Sequence, residues 1–365
     1  MRFIDEYRDR KLVLGIAESI RKRSTRNIVL MEVCGGHTMA VHKFGLRELL
    51  PETIRLISGP GCPVCVSGTG FIDHVVKLAG MPGNIIATYG DLVRVPGSSS
   101  SLEQEKGTGA DVRFVYSVLD SLEIARRNPD RTVVFPGIGF ETTAPATAAA
   151  ILRAHKEGLQ NFKVLSSHKV MPPVMRSLID EGVKIDGYIA PGHVTAITGT
   201  EMYCPIVEKY GLGIVVAGFE PTDILQSISM LVVQFEDHDP KVEIQYSRVV
   251  KPEGNIIARN LMNEVFELGD DRWRGIGLIP NSGLKIRSKF QSFDAEKYFE
   301  LPETEETEPA GCICGEVLKG LKTPTDCPLF AKVCTPVNPV GACMVSNEGT
   351  CAAYYRYRKT EGHGR

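Results

Sequence analysis

Several things are scarce in this chain, and each scarcity closes off a class of function. Charge of one sign is missing: 42 Lys and Arg stand against 44 Asp and Glu, a formal net charge of −2. Such a balance gives no global attraction to nucleic acid or to an acidic membrane surface. Long apolar runs are missing too, since no segment reaches the roughly 18–20 residues that a membrane-spanning helix needs. Residues 1–23 mix charges throughout and lack the apolar centre of a secretion signal, so a cytoplasmic location is expected. There is no Gly-x-x-x-x-Gly-Lys-Ser/Thr phosphate loop. Gly137-Ile-Gly139 lacks the third glycine of a dinucleotide fingerprint, which ranks a nucleotide-binding enzyme last.

Cysteine is what the chain has in abundance. Six of its ten, Cys312, Cys314, Cys327, Cys334, Cys343 and Cys351, crowd the last stretch. Cys34, Cys62 and Cys65 lie in glycine-rich turns near the start, and Cys204 stands alone. In a reducing compartment, clustered thiols point to metal or redox chemistry rather than to a disulfide framework. Thiolate is the preferred ligand of iron–sulfur clusters and soft metals.

The 365 residues, 43% hydrophobic and 24% charged, suit two or three soluble domains. Residues 1–22 read as an amphipathic helix. Short apolar runs at 28–33, 54–57, 85–88, 133–135, 164–165, 188–190 and 214–217 then alternate with helical stretches. That rhythm predicts an α/β fold of parallel βαβ units. Gly-Phe-Glu-Thr-Thr at 139–143 and Gly-Phe-Glu-Pro-Thr at 218–222 hint at two similar halves. A linear division follows: an α/β domain over 1–127 with Cys34, Cys62 and Cys65, a second over 128–300, and a cysteine-rich domain over 301–365. Residues 301–309, acidic and with two prolines, read as the linker into the last.

The unusual loops all follow predicted strands, where open α/β sheets gather function. Cys34-Gly-Gly-His37 puts a thiol and an imidazole at a helix N-terminus, where backbone amides are expected to lower the thiol pKa. A buried cysteine beside a satisfied histidine is the bland alternative. Cys62-Pro-Val-Cys65 suits a dithiol–disulfide couple. It also suits half of a zinc site, although no second Cys-x-x-Cys completes a four-thiolate centre. Cys327-x6-Cys334-x8-Cys343-x7-Cys351 supplies the four thiolates of a [4Fe–4S] cluster. Cys312 or Cys314 is able to replace one of the four, and a zinc-bound or merely reduced tail is the alternative. Glu141, Glu220, Asp223, His168 and His193 are candidate acid–base or orienting groups. Helix capping accounts for this neighbourhood equally well, Thr142 and Thr222 included.

Taken together, these loops resemble the HypD family of hydrogenase maturation proteins over nearly the whole chain. The matching residues are Cys34-Gly-Gly-His-Thr38, Gly59-Pro-Gly-Cys-Pro-Val-Cys65, Pro136-Gly-Ile-Gly-Phe-Glu-Thr-Thr-Ala-Pro145, Pro191-Gly-His193 and Gly218-Phe-Glu-Pro221. In the tail they are Asp326-Cys-Pro-Leu-Phe330, Gly341-Ala-Cys-Met-Val-Ser346 and Glu348-Gly-Thr-Cys351. The resemblance implies two Rossmann-like parallel-sheet domains plus a small C-terminal iron–sulfur domain. It implies a metallocofactor assembly scaffold with redox activity. Such a scaffold works with a small HypC-type partner on the Fe(CN)2CO unit of [NiFe]-hydrogenases and receives cyanide from a HypE-type donor served by HypF. By the same resemblance Cys34 is the thiolate for a transient iron and His37 its neighbour. Cys62 and Cys65 are the redox pair, and Cys327, Cys334, Cys343 and Cys351 hold the cluster. The rival reading is a cluster-dependent thiol–disulfide oxidoreductase acting on another substrate. An electron relay in either reading needs the tail to fold back onto the 59–65 loop.

Overall fold

The computed structural model describes residues 5–304 and 306–357. Its strands, in chain order, are β1 (Ile28–Glu32), β2 (Ile54–Ser58), β3 (Asn84–Thr88), β4 (Val112–Phe114), β5 (Thr132–Gly139), β6 (Phe162–His168), β7 (Gly187–Pro191), β8 (Gly213–Ala217), β9 (Val242–Ile244), β10 (Phe266–Trp273) and β11 (Gly277–Ile286). Every residue of β1, β3, β7 and β8 is buried. Continuous burial explains why these runs are apolar without alternation: helices cover both faces of a parallel sheet. No helix among the described residues is long and apolar enough to cross a membrane.

Two all-parallel sheets result, one ordered β2-β1-β7-β8-β9 and the other β4-β3-β5-β6. The α/β class and its two Rossmann-like sheets agree with the expectation. Strand membership departs from the linear division at residue 127. β1 and β2 pair with β7, in register Leu30↔Gly187 to Glu32↔Ile189, while β3 to β6 form the other sheet between them. The chain leaves the first sheet after the Cys62 loop, builds the second, and returns at β7. Neighbouring strands usually pair, so a linear reading joins β2 to β3. The hydrophobic pattern alone carries no record of a pairing that spans more than a hundred residues.

A third element, the antiparallel β10–β11 hairpin, stands on the edge of the second sheet. Ser166 Oγ donates to Leu284 O at 2.9 Å, and Val170 N donates to Ser282 O at 2.9 Å. The hairpin tip reaches across to the cysteine loop. Arg274, fully buried, donates from Nε to Ser67 O at 3.0 Å and from Nη2 to Pro96 O at 3.0 Å.

The tail has little regular structure beyond the helices Cys314–Leu318 and Thr350–Tyr357. It does not swing free. Thr350–Tyr357 packs along the helix Gly35–Lys43, and Leu318, Cys343 and Met344 share one apolar cluster with Val33, Ile57 and Cys65. The expected linker is tied down as well. The Glu306 carboxylate accepts from Thr69 N at 2.7 Å, satisfying a free amide at the start of the helix Thr69–Ala79. At the other terminus the helix Arg10–Arg23 follows a 3-10 turn at Asp5–Tyr7; residues 1–4 of the expected N-terminal helix lie outside the described residues, as do 358–365 of the expected third domain.

Candidate functional site

Cys34 ends β1 and is the N-cap of the helix Gly35–Lys43, with extended backbone (φ −151°, ψ 126°). Its thiol is buried, and the amides of Gly36 and His37 point at the sulfur. Those amides favour thiolate, as the motif suggests. Burial, reinforced by the Glu348 charge, outweighs them and raises the thiol pKa. The expected lowering is therefore reversed, and the resting group is a thiol.

His37, in the first turn of the same helix, is fully buried, its ring stacked on Phe219 with centroids 4.8 Å apart. Nε2 lies 3.0 Å from Gly218 O, a contact that requires the Nε2–H tautomer. Burial, then the neighbouring His193, lowers its pKa to about 4, so the ring is neutral at physiological pH. That leaves Nδ1 a bare lone pair, and it has no hydrogen-bond partner. Buried polar atoms without partners are uncommon in native proteins and mark places where a ligand, ion or water belongs.

Glu32 was not among the sequence candidates. It closes the apolar run 28–33, and one carboxylate inside a buried strand is the signal that marks it. It is fully buried, accepts from Thr38 Oγ1 at 2.6 Å and sits 3.4 Å from Cys34 N. Burial raises its pKa to about 7 against the lowering effect of Ser58 and Thr38. A groove of about 310 Å³ opens beside this group, with Gly36, Met39, Lys43, Phe219, Glu220 and Glu348 on its walls.

The second loop packs directly on the first. A Cβ added to Gly61 would stand 2.3 Å from both Cα and N of Cys34. One on Gly35 would meet Glu348 Cβ at 2.7 Å and Cys62 Cβ at 3.2 Å. The close approach of three backbones, rather than turn geometry alone, accounts for glycine at these two positions. Cys62 caps the one-turn helix Pro63–Val66, and Cys65 N donates to Cys62 O at 3.0 Å.

The tail supplies the third part, and it does fold back. The Cys65 thiol, pushed up in pKa by burial, lies within hydrogen-bonding reach of both Cys62 and Cys343. Cys343 in turn reaches Cys314 and Cys351, and its pKa is raised first by Cys314. Cys312 Sγ lies 3.3 Å from Cys314 Sγ. A small enclosed cavity is lined by Cys312, Cys314, Cys327, Cys334 and Cys351, with no carboxylate or imidazole on its wall. Cys343 does not line it. No group of three or more His, Cys, Asp or Glu among the described residues converges on a single ion. A four-iron cluster makes no such demand, because each thiolate binds a different iron. A donor set of thiols alone fits a [4Fe–4S] cluster.

The remaining candidates fall outside this convergence or have structural partners. Asp223 is fully buried and paired with Arg248 through contacts of 2.7 and 2.6 Å. Glu220 is bonded to Arg8 and forms a capping box with Asp223 on the helix Pro221–Asp237. Thr222 donates to Tyr7 O rather than capping. His168 is satisfied by Thr147 and Ser166. His193 is exposed, its ring 5.1 Å from Phe219. Glu141 belongs to the other sheet: Oε1 accepts from Met171 N at 3.0 Å and Oε2 is buried without a partner. Cys204 is exposed, at the start of the helix Cys204–Tyr210.

Comparison with known proteins bears on the whole of this architecture. A family model for HypD, described as the hydrogenase formation hypA family, matches residues 10–358. The hydrogenase maturation factor HypD of Escherichia coli is 46% identical over 370 residues, covering 99% of each chain. HypD2 of Bradyrhizobium diazoefficiens is 46% identical over all of this chain and 98% of its own. A putative hydrogenase expression/formation protein of Methanocaldococcus jannaschii is 46% identical over 96% of this chain and 98% of its own.

Proposed function

The chain belongs to the HypD family of hydrogenase maturation factors, and on that premise we propose that it is a scaffold for assembling the Fe(CN)2CO unit of a [NiFe]-hydrogenase. A HypC-type partner shares the cargo iron, and a HypE-type donor brings the cyanide. One observation carries the reading: a buried thiol sits at the N-cap of a helix whose first turn also holds a buried imidazole with a partnerless Nδ1 lone pair. Cys34 Sγ is the donor to the cargo iron. Metal coordination takes the thiol in its deprotonated form, so loading releases the proton that burial otherwise retains. The amides of Gly36 and His37 then face a real negative charge. Cyanide and carbonyl are strong-field ligands that need an electron-rich iron, and a thiolate supplies that density. The groove beside Gly36 gives the partner's own donor a way in.

Cys312, Cys327, Cys334 and Cys351 would hold a resident [4Fe–4S] cluster in the tail cavity, and the cluster would supply electrons one at a time. This set exchanges Cys343 for Cys312, because Cys343 lies off the cavity wall and reaches Cys65. Two lining thiols, Cys314 and Cys351, also reach Cys343; with Cys351 kept as a cluster ligand, Cys314 is left as its exchange partner. Attack of the Cys343 thiolate on a Cys62–Cys65 disulfide gives a mixed disulfide. Cys314 resolves it, leaving a Cys62/Cys65 dithiol and a Cys314–Cys343 disulfide, with two electrons moved and none lost.

Infrared spectroscopy of the partner-bound protein tests the scaffold role. Cys34→Ala is expected to abolish the cyanide and carbonyl bands. Bands of unchanged intensity would instead favour the oxidoreductase reading, in which Cys34 is dispensable.

A further inference from the structure

A cavity of about 240 Å³ lies between the helix Gly35–Lys43 and the tail helix Thr350–Tyr357, lined by His42, Arg47, Thr325, Phe330, Tyr354 and Tyr357 among others. It takes no part in the chemistry described above. Two nitrogens on its wall are buried without a hydrogen-bond partner, Arg47 Nε and His42 Nε2. Arg47 is otherwise held in place: Nη1 donates to Tyr354 Oη, and Nη2 to Ser58 Oγ at 3.3 Å. The His42 ring is fixed against the Tyr354 ring, with centroids 4.2 Å apart. Both side chains are thus positioned by neighbours while one nitrogen of each faces nothing.

An arginine Nε is a donor only, and its guanidinium stays charged. A histidine Nε2 becomes a donor in the tautomer that carries its proton there. The missing partner is therefore an acceptor able to take two N–H groups and to tolerate a fixed positive charge. Planar guanidinium recognition favours carboxylate-like and phosphate-like oxygens. The carboxylate of Glu48, also on the wall, is exposed, and a Cβ added to Gly45 would meet its Oε2 at 3.3 Å. That carboxylate makes no bond to either orphan nitrogen.

We propose that this cavity binds a small oxyanion, of the size of phosphate or bicarbonate, held by Arg47 Nε and His42 Nε2. His42 lies on the helix that Cys34 caps, and Tyr354 lies on the helix that carries Cys351. The site therefore lies where the helix capped by Cys34 meets the tail helix, and its arginine already bonds the tail through Tyr354.

Calorimetric titration of the full-length protein with inorganic phosphate, and separately with sodium bicarbonate, tests the assignment. Saturable binding of at least one is expected, and which one binds identifies the source of the oxyanion. His42→Phe keeps a ring against Tyr354 and removes the nitrogen, and it should weaken binding about tenfold, equivalent to 1.4 kcal/mol. Arg47→Gln should abolish it. Because Arg47 also holds Tyr354 and Ser58, a second readout uses only the wild type and His42→Phe. In histidine-selective nitrogen NMR the anion should shift one Nε2 resonance, and that resonance should be missing in His42→Phe. Absence of binding by both anions, or wild-type affinity in His42→Phe, would overturn the proposal.

Discussion

Both parallel sheets deliver the same tripeptide to a strand-to-helix junction and use it differently. Gly139 ends β5 with Phe140 and Glu141 just beyond it, and Gly218-Phe219-Glu220 follows β8. Phe140 is buried, with its ring 6.0 Å from that of Trp273. Phe219 stacks on His37 and forms one wall of the groove. Glu141 is buried with one oxygen unpaired, whereas Glu220 is paired with Arg8 and caps a helix. No cysteine occurs between residues 66 and 203. The shared motif therefore supplies a turn and an N-terminus, and nothing more. The candidate site lies on the five-stranded sheet because the Cys34 loop, the Cys62 loop and the tail all close on its rim.

The largest effect that would break this contrast is expected from Gly61→Ala. Its methyl group would collide with Cys34 backbone at 2.3 Å, and backbone cannot rotate aside. The cost should exceed the roughly 1–3 kcal/mol of ordinary overpacking. Thermal unfolding should show a steep fall in Tm. Next comes Arg248→Ala, which takes the charged partner from the fully buried Asp223 carboxylate on the helix after β8, leaving it Gln245 Nε2 at 2.9 Å and Glu220 N at 3.2 Å. Removing one partner of a buried pair costs on the order of 3–5 kcal/mol, and the partial exposure of Arg248 places the expectation at the lower end. Urea unfolding measures it.

Glu141 offers the opposite sign. Burial raises its pKa from 4.5 to about 7. The folded state thus holds its proton longer than the unfolded chain, and the stability this gives is complete below pH 4.5. It is lost as pH rises through 7, to a limit of about 3 kcal/mol. Glu141→Gln should remove that loss: unfolding curves of wild type and variant should diverge between pH 4.5 and 8, the variant being the more stable at pH 8. The smallest effect belongs to the matching glutamate. Arg8→Ala breaks an exposed pair with Glu220 and should cost about 0.2–1 kcal/mol, less at high salt.

The sequence makes the strands and their glycine loops legible, because buried parallel strands are apolar throughout and their ends need turns. It also brings Cys34, His37, Cys62 and Cys65 into view through motif and spacing. Sheet membership stays hidden, since β1–β7 pairing leaves no local trace. So does the β10–β11 hairpin, whose strand β10 is largely open to solvent and runs Phe-Glu-Leu-Gly-Asp-Asp-Arg-Trp without a sustained apolar alternation. The thiol pKa at Cys34 turns on burial and on Glu348, more than 300 residues away in the chain. Spacing alone makes Cys327, Cys334, Cys343 and Cys351 look like one set. Only the fold separates Cys343 toward Cys65 and brings Cys312 to the cavity.

That separation is open to one direct measurement: iron and acid-labile sulfide per chain in Cys312→Ser and in Cys343→Ser, both purified without oxygen. The account expects Cys343→Ser to retain about four irons and four sulfides and Cys312→Ser to lose most of them. A full complement in Cys312→Ser, with an iron-free Cys343→Ser, would contradict it.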